Sequence, residues 1–156
     1  MQKTMKKHDR ILVISDLHAP YCHVDSISFL EKLKKKYNPT TIVNIGRSLC
    51  KQLEKIFPEM VLLESNHGSM VLRRAMAKGM SRFFLKDYNE ILDVGSGWRW
   101  EEKYIIDTSK GKVIFAHQFC KDIAKAVRET SMSCVQGHFH TVSEIKYVGN
   151  DFHLNW

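Results

Sequence analysis

The sequence predicts a layered α/β fold. Short apolar runs of strand length recur along the chain, and segments with helical spacing separate them. Runs that are apolar at successive positions are typical of strands buried on both faces, as in α/β proteins. Two later strands, around residues 104–106 and 142–148, are expected to pair antiparallel. The expected arrangement is therefore a mixed sheet, or two packed sheets flanked by helices.

The first two elements show the alternation clearly. Residues 10–15 (RILVIS) form the first predicted strand. A helix is predicted over residues 26–37, because apolar residues recur there at helical spacing, namely Ile27, Leu30 and Leu33. Asp25 or Ser26 is its expected cap, and Pro39 is expected to end it.

The remaining elements continue the pattern. Strands are predicted over residues 41–45, 60–63, 112–115 and 134–136, in addition to the two named above. Helices are predicted over residues 49–57, 70–80 and 122–130, with Ser69 as the cap of the middle one. No repeat, low-complexity tract or linker interrupts the chain, so one domain over residues 1–156 is expected.

Composition favours a globular cytoplasmic protein. The 156 residues are 44% hydrophobic and 26% charged, and no apolar run is long enough to span a bilayer, so no membrane partner is expected. The basic start leads into a short apolar run closed by Asp16, which is unlike a signal peptide. The four cysteines have neither paired nor framework spacing, so free, mostly buried thiols are expected at Cys22, Cys50, Cys120 and Cys134.

The net charge of +7 admits two interpretations. A basic protein attracts polyanions such as nucleic acid. Much of the excess lies in lysine runs at residues 6–7 and 34–36, however, where it can serve solubility alone.

Residues able to bind metal follow the predicted strands. Ligand sites of open α/β folds form beyond the carboxyl ends of strands, and five of the eight histidines lie there: His18, His67, His117, His138 and His140. If these segments are extended, Asp16 and His18 project to one side, as do the last two histidines. Asn66 adds a carbonyl oxygen, and imidazole nitrogens suit zinc, iron, nickel or manganese. The pattern predicts a metal site.

The order of these motifs resembles the calcineurin-like metallophosphoesterases. The order is D-x-H, a Gly after the second strand, N-H, a single His and then G-H-x-H. The phrases LLESNHGSMVLRRA, YNEIL and GWRWEEKYII look like the small phage-type members of that family, and the similarity covers nearly the whole chain. The resemblance implies two stacked mixed β-sheets flanked by helices, as a four-layer sandwich that is truncated here. For a phage-encoded chain, the location would be the host cytoplasm.

The resemblance also implies a site and a reaction. One divalent ion would be held by Asp16, His18 and His140, and the other by Asn66, His117 and His138. Manganese, iron, zinc or nickel would serve. A hydroxide bound to the ions would attack a phosphomonoester or phosphodiester, with nucleic acid the favoured substrate. His67 would stabilise the transition state or protonate the leaving oxygen.

The sequence departs from the family at the second motif. The family has G-D there, and its aspartate bridges both ions, whereas this chain has Gly46-Arg47. A guanidinium cannot bind a cation, and unit charges ~4 Å apart repel by ~4 kcal/mol at an effective dielectric of ~20. We therefore expect a weakened second site, so that two ions or fewer are bound. The alternative function is a non-catalytic descendant that binds nucleic acid or a protein.

Other candidate residues have two interpretations each. Arg73 and Arg74 either contact a substrate phosphate or lie on a solvated helix face, which is favoured. Trp98 and Trp100 either stack on bases or pack over a sheet, and packing is favoured. His23 is either a rim group or, by preference, a surface residue.

Overall fold

The computed structural model describes residues 10–15, 23–45, 51–65, 69–139 and 141–149. Within these ranges the chain forms two β-sheets and five α-helices, which confirms the predicted α/β class. The longest of these helices, α1 (Ser26–Tyr37), has 12 residues, and none of the described helices is long and apolar enough to cross a membrane.

The first sheet has four strands in the order β1-β2-β3-β4, and every pair is parallel. Its strands are β1 (Ile11–Ile14), β2 (Thr41–Asn44), β3 (Met60–Leu63) and β4 (Trp98–Glu101). The expectation that both sheets are mixed is therefore wrong for this one. Helix-containing crossovers connect its successive strands, and such a connection returns the chain to run in the same direction. Two of these connections contain α1 and α2 (Lys51–Ile56).

The second sheet is mixed, as expected. Its order is β5-β6-β7, with β5 and β6 antiparallel and β6 and β7 parallel. The strands are β5 (Lys103–Thr108), β6 (Gly111–Ala116) and β7 (Ser133–Gln136), and α5 (Ile123–Thr130) connects the last two.

The predicted strand over residues 142–148 is not formed. These residues have no regular secondary structure, and the apolar side chains of Val142, Ile145 and Tyr147 are exposed. The antiparallel partner of β5 is instead β6, which follows after a two-residue turn. A short turn closes at little entropic cost. Pairing of β5 with β6 is therefore favoured over the predicted pairing of β5 with residues 142–148.

The two sheets stack on each other through a shared core. Val43, Val61 and Leu63 of the first sheet pack with Ile106 and Phe115 of the second. The opposite face of the first sheet packs on α1 and α2, in a cluster that includes Ile42, Leu62, Leu30, Leu53 and Trp98. Because both faces of the parallel sheet are covered, β1, β2 and β3 are apolar at most positions.

The other elements agree with the sequence in part. The helix predicted over residues 70–80 is shorter, as α3 (Met70–Ala77), because the chain turns at Gly79 with a φ of 82°. It is followed by a 3-10 helix (Arg82–Phe84) and by α4 (Tyr88–Leu92), neither of which was predicted. Helix α1 has the predicted bounds, and Asn38 ends it in the left-handed conformation.

Packing of the tryptophans over the sheet is confirmed. Trp98 is buried, and its indole N–H donates to the carbonyl oxygen of Phe57 at 2.9 Å. The indole N–H of Trp100 donates to the side-chain oxygen of Asn89 at 2.6 Å, and its ring lies 4.6 Å from that of Tyr88. The rings therefore fix α4 and the 57–60 turn against β4.

The start of β4 requires a glycine. A Cβ atom added at Gly97 would lie 2.1 Å from the carbonyl oxygen of Pro58, and the Gly97 carbonyl accepts a hydrogen bond from Met60 N–H at 3.1 Å. We expect Gly97→Ala to lower the free energy of unfolding by about 1–3 kcal/mol, because the backbone must shift to admit the methyl group.

Urea denaturation checks this prediction. Gly149→Ala is the matched control, since a Cβ there meets no atom of the described residues within 4 Å. Equal stability of the two variants would contradict the proposed clash.

Candidate metal centre

The carboxyl ends of the parallel strands lie level at one edge of each sheet. In the first sheet Ile14 pairs with Asn44, which in turn pairs with Leu62. In the second sheet Ala116 pairs with Gln136. The chain leaves all of these strands at their carboxyl ends, where ligand sites of α/β folds form.

The two edges meet at Ile45, the residue after β2. Its carbonyl oxygen lies 2.7 Å from Nδ1 of His117, the residue after β6. Gly137, the residue after β7, approaches the same oxygen so closely that an added Cβ would lie 3.2 Å from it. Its own N–H donates to the carbonyl of His117 at 3.1 Å. The ends of β2, β6 and β7 therefore converge on one point.

Buried polar residues concentrate at these strand ends. Among the described residues, those with buried polar or charged side chains are Asn44, Ser65 and His117, which are 0%, 5% and 4% exposed. Each lies at or within two residues of the end of β2, β3 or β6. Burial of polar groups is costly unless they are partnered, and all three have partners within the protein. The described polar residues of the core therefore cluster at the strand ends where ligand sites of α/β folds form.

The hydrogen bond to Ile45 fixes the orientation of His117. A carbonyl oxygen only accepts, so Nδ1 of His117 is the donor, and in the neutral ring Nε2 carries the free lone pair. That Nε2 lies 3.2 Å from Nδ1 of His138. Metal-binding histidines commonly donate their other ring nitrogen to a backbone carbonyl in this way.

The spacing of the two rings fits a shared ion. Two imidazole nitrogens bound to one tetrahedral zinc at about 2.0–2.1 Å are about 3.3 Å apart. The observed distance of 3.2 Å also fits a hydrogen bond from His138 to His117. The same arrangement of rings therefore suits a hydrogen-bonded pair without metal and a pair that binds one ion. The donor set is therefore compatible with zinc or a similar ion.

The backbone at His138 departs from the expected extended form. Its φ is 68°, and the N–H of Phe139 donates to the carbonyl of Gly137 at 2.8 Å, as in a γ-turn. Alternation of side chains along an extended segment, used to group His138 with His140, is therefore wrong at this position. The turn, rather than alternation, directs His138 toward His117.

Gln136 supports this region and was not predicted from the sequence. Its side-chain oxygen accepts from the N–H of Phe119 at 2.9 Å, and its amide donates to the carbonyl of Cys120 at 3.0 Å. These bonds hold the loop that follows His117. The only sequence signal was a polar residue directly before G-H-x-H.

The remaining predicted site residues lie outside the described residues. They are Asp16, His18, Asn66, His67 and His140, together with Arg47 at the departure from the family pattern. Within the described part of the chain, no three His, Cys, Asp or Glu side chains form a group that could hold a metal. The structure thus brings together two of the six predicted ligands, His117 and His138.

Other candidate residues take their expected surface positions. Arg73, Arg74 and His23 are exposed. The free thiols of Cys120 and Cys134 are half-buried rather than buried, and Cys22 and Cys50 lie outside the described residues.

Comparisons with family models, with curated proteins and with solved structures gave no match. The resemblance to the metallophosphoesterases therefore stays a prediction from the residues themselves.

Metal affinity tests the assignment of His117. An asparagine at this position places its amide N–H near that of Nδ1 and can keep the bond to Ile45, but it has no counterpart of Nε2. We expect His117→Asn to fold and to bind Mn²⁺ or Zn²⁺ at least tenfold more weakly, as measured by isothermal titration calorimetry.

His138→Ala should weaken binding similarly, because it removes the neighbouring nitrogen. His23→Ala is the control, since that side chain is 75% exposed and away from the pair. Wild-type affinity in both site variants would refute the assignment.

Proposed function

We propose that the chain is a metal-dependent phosphoesterase of the calcineurin-like type, acting on a phosphomonoester or phosphodiester. The observation that carries the proposal is the His117–His138 pair, which lies where the carboxyl ends of both sheets converge. Both histidines also belong to the motif order that resembles this family. In the sequence, Asp16, Asn66 and His140 follow the ends of β1, β3 and β7 by two, three and four residues.

The proposed ligand set follows the resemblance. Asp16, His18 and His140 would hold one divalent ion, and Asn66, His117 and His138 would hold the other. When bound, manganese, iron, zinc or nickel ions supply positive charge for the phosphoryl group and lower the pKa of a water molecule.

The protein's own groups would position and protonate the substrate. The Ile45 carbonyl keeps Nε2 of His117 directed toward His138. Such pre-orientation avoids the cost of reorganising the ligand during the reaction. His67 would donate a proton to the leaving oxygen, since an alkoxide is a poor leaving group without one.

A second candidate is a non-catalytic descendant that binds nucleic acid or a protein. The feature that favours it is Arg47, which stands where the family has a bridging aspartate. In that case one metal ion or none would bind. Arg47→Asp alone should then leave activity absent. By the resemblance, the stretch from Gly46 to Asn66 is shorter than in the phage-type members, so residues next to the family aspartate would be missing too.

Hydrolysis of bis-nitrophenyl phosphate with added manganese tests the proposal. We expect turnover in the wild-type chain and a fall in kcat of about 10²-fold or more in His67→Ala, because a general acid contributes about 10²–10⁴. His23→Ala should retain full activity.

Elemental analysis of the same preparations separates the two candidates. Two equivalents of metal with turnover support the enzyme. One equivalent or none, with no turnover above that of His67→Ala, would support the non-catalytic descendant instead.

A further inference from the structure

The segment from α3 to the residues before α4 is rich in positive charge. Residues 70–86 contain five basic residues and no acidic one, namely Arg73, Arg74, Lys78, Arg82 and Lys86. All five are exposed. We call these exposed cations, together with Phe83 and Phe84, the 70–86 surface.

Two aromatic rings stand out from this surface. Phe83 and Phe84 are 88% and 76% exposed, and their ring centroids are 5.6 Å apart with the planes nearly perpendicular. Met76 and Met80 in the same segment are also exposed. Large apolar side chains placed together in water are unusual, and such a patch commonly marks a binding surface.

Four of the five cations are available to a ligand. Arg74 and Lys78 form no ion pair within the described part of the chain. Arg82 pairs with Asp87 at 3.2 Å and Lys86 with Glu90 at 3.1 Å, but all four side chains are largely exposed. Exposed pairs contribute little energy, so a phosphate group can compete for these cations.

The 70–86 surface begins at the carboxyl end of the parallel sheet, the end at which the candidate metal centre also lies. The N–H and hydroxyl of Ser69 both lie 3.0 Å from the carbonyl oxygen of Ser65, so α3 begins beside the end of β3. Burial and then the carboxylate of Glu64 raise the pKa of the Tyr88 hydroxyl, while Arg82 and Arg73 lower it. Arg73 and Arg82 therefore lie within electrostatic range of Tyr88. So does Glu64, the residue directly after β3.

We propose that the 70–86 surface binds single-stranded nucleic acid, with bases stacked on Phe83 and Phe84 and phosphates on the surrounding cations. Single-strand binding proteins combine these two elements, because every base has an aromatic face and every linkage a charge. A duplex hides its base faces, so it would use the cations alone. The inference rests on the proposed function for its role, which is to deliver a polynucleotide to the metal centre.

A membrane surface or a protein partner would fit the 70–86 surface less well than single-stranded nucleic acid. Membrane-surface helices gather their apolar groups on one face of a continuous amphipathic helix, whereas here the rings lie on a 3-10 helix beyond α3. The cores of protein interfaces are depleted of charge, whereas here the cations are interspersed with the apolar residues.

Fluorescence anisotropy with labelled dT15 and U15, in EDTA, tests binding apart from metal and turnover. We expect Phe83→Ala/Phe84→Ala to weaken binding of the single strand at least tenfold, with an unchanged salt slope, and to leave duplex binding nearly unchanged. The matched control is Phe29→Ala/Tyr37→Ala, which removes two exposed aromatic side chains of α1.

A second pair of variants tests the cations. Arg74→Ala/Lys78→Ala should reduce the slope of log K against log salt concentration by about 1.4, at about 0.7 per phosphate contact. Lys32→Ala/Lys35→Ala removes the same charge from the exposed face of α1 and should change the slope much less.

Three results would overturn the proposal. The aromatic variant binds dT15 and U15 as the wild type does, the two charge variants lose affinity equally, or the chain binds phosphatidylserine vesicles but neither oligonucleotide. Comparing dT15 with U15 distinguishes DNA from RNA. His117→Asn should keep oligonucleotide binding, so failure of the metal centre and failure of this surface are separable.

Discussion

The hydrogen bond between His117 and the Ile45 carbonyl is the contact on which the candidate site depends. It joins the loop after β6 in the mixed sheet to the chain just beyond β2 in the parallel sheet. Without it, stacking of the two sheets would still bring their edges near each other, because the shared apolar core is large. The orientation of the imidazole would then be undetermined. The Ile45 carbonyl oxygen thus orients the His117 ring so that its Nε2 faces Nδ1 of His138.

Much of the fold was predictable because its elements are simple. The spacing of Ile27, Leu30 and Leu33 defined α1, and uniform apolar runs defined β1, β2 and β3. Residues 98–101 were harder to assign, because an exposed arginine separates two tryptophans whose burial depends on Phe57 and Asn89. Residues 142–148 resembled a strand, but a neighbouring turn had already supplied β5 with its partner. Local closure of that kind is not visible in composition.

The candidate site was predictable as a set of residue types but not as a geometry. The strand-end rule placed His117 and His138 correctly at adjoining edges. The acceptor that orients His117 is a main-chain atom of an isoleucine, and no pattern of side chains encodes it. The amide bonds of Gln136 escaped prediction for a related reason, since their partners are the backbone groups of residues 119 and 120.

The left-handed backbone of His138 has a consequence for the stability of the protein. Histidine tolerates such a φ better than most residues, yet glycine would adopt it with less strain. A sparsely populated backbone conformation costs of the order of 1–3 kcal/mol. Glycine would relieve this strain but would lose the ring contacts with His117 and Phe139. His138 therefore combines a strained backbone with an imidazole held 3.2 Å from its neighbour.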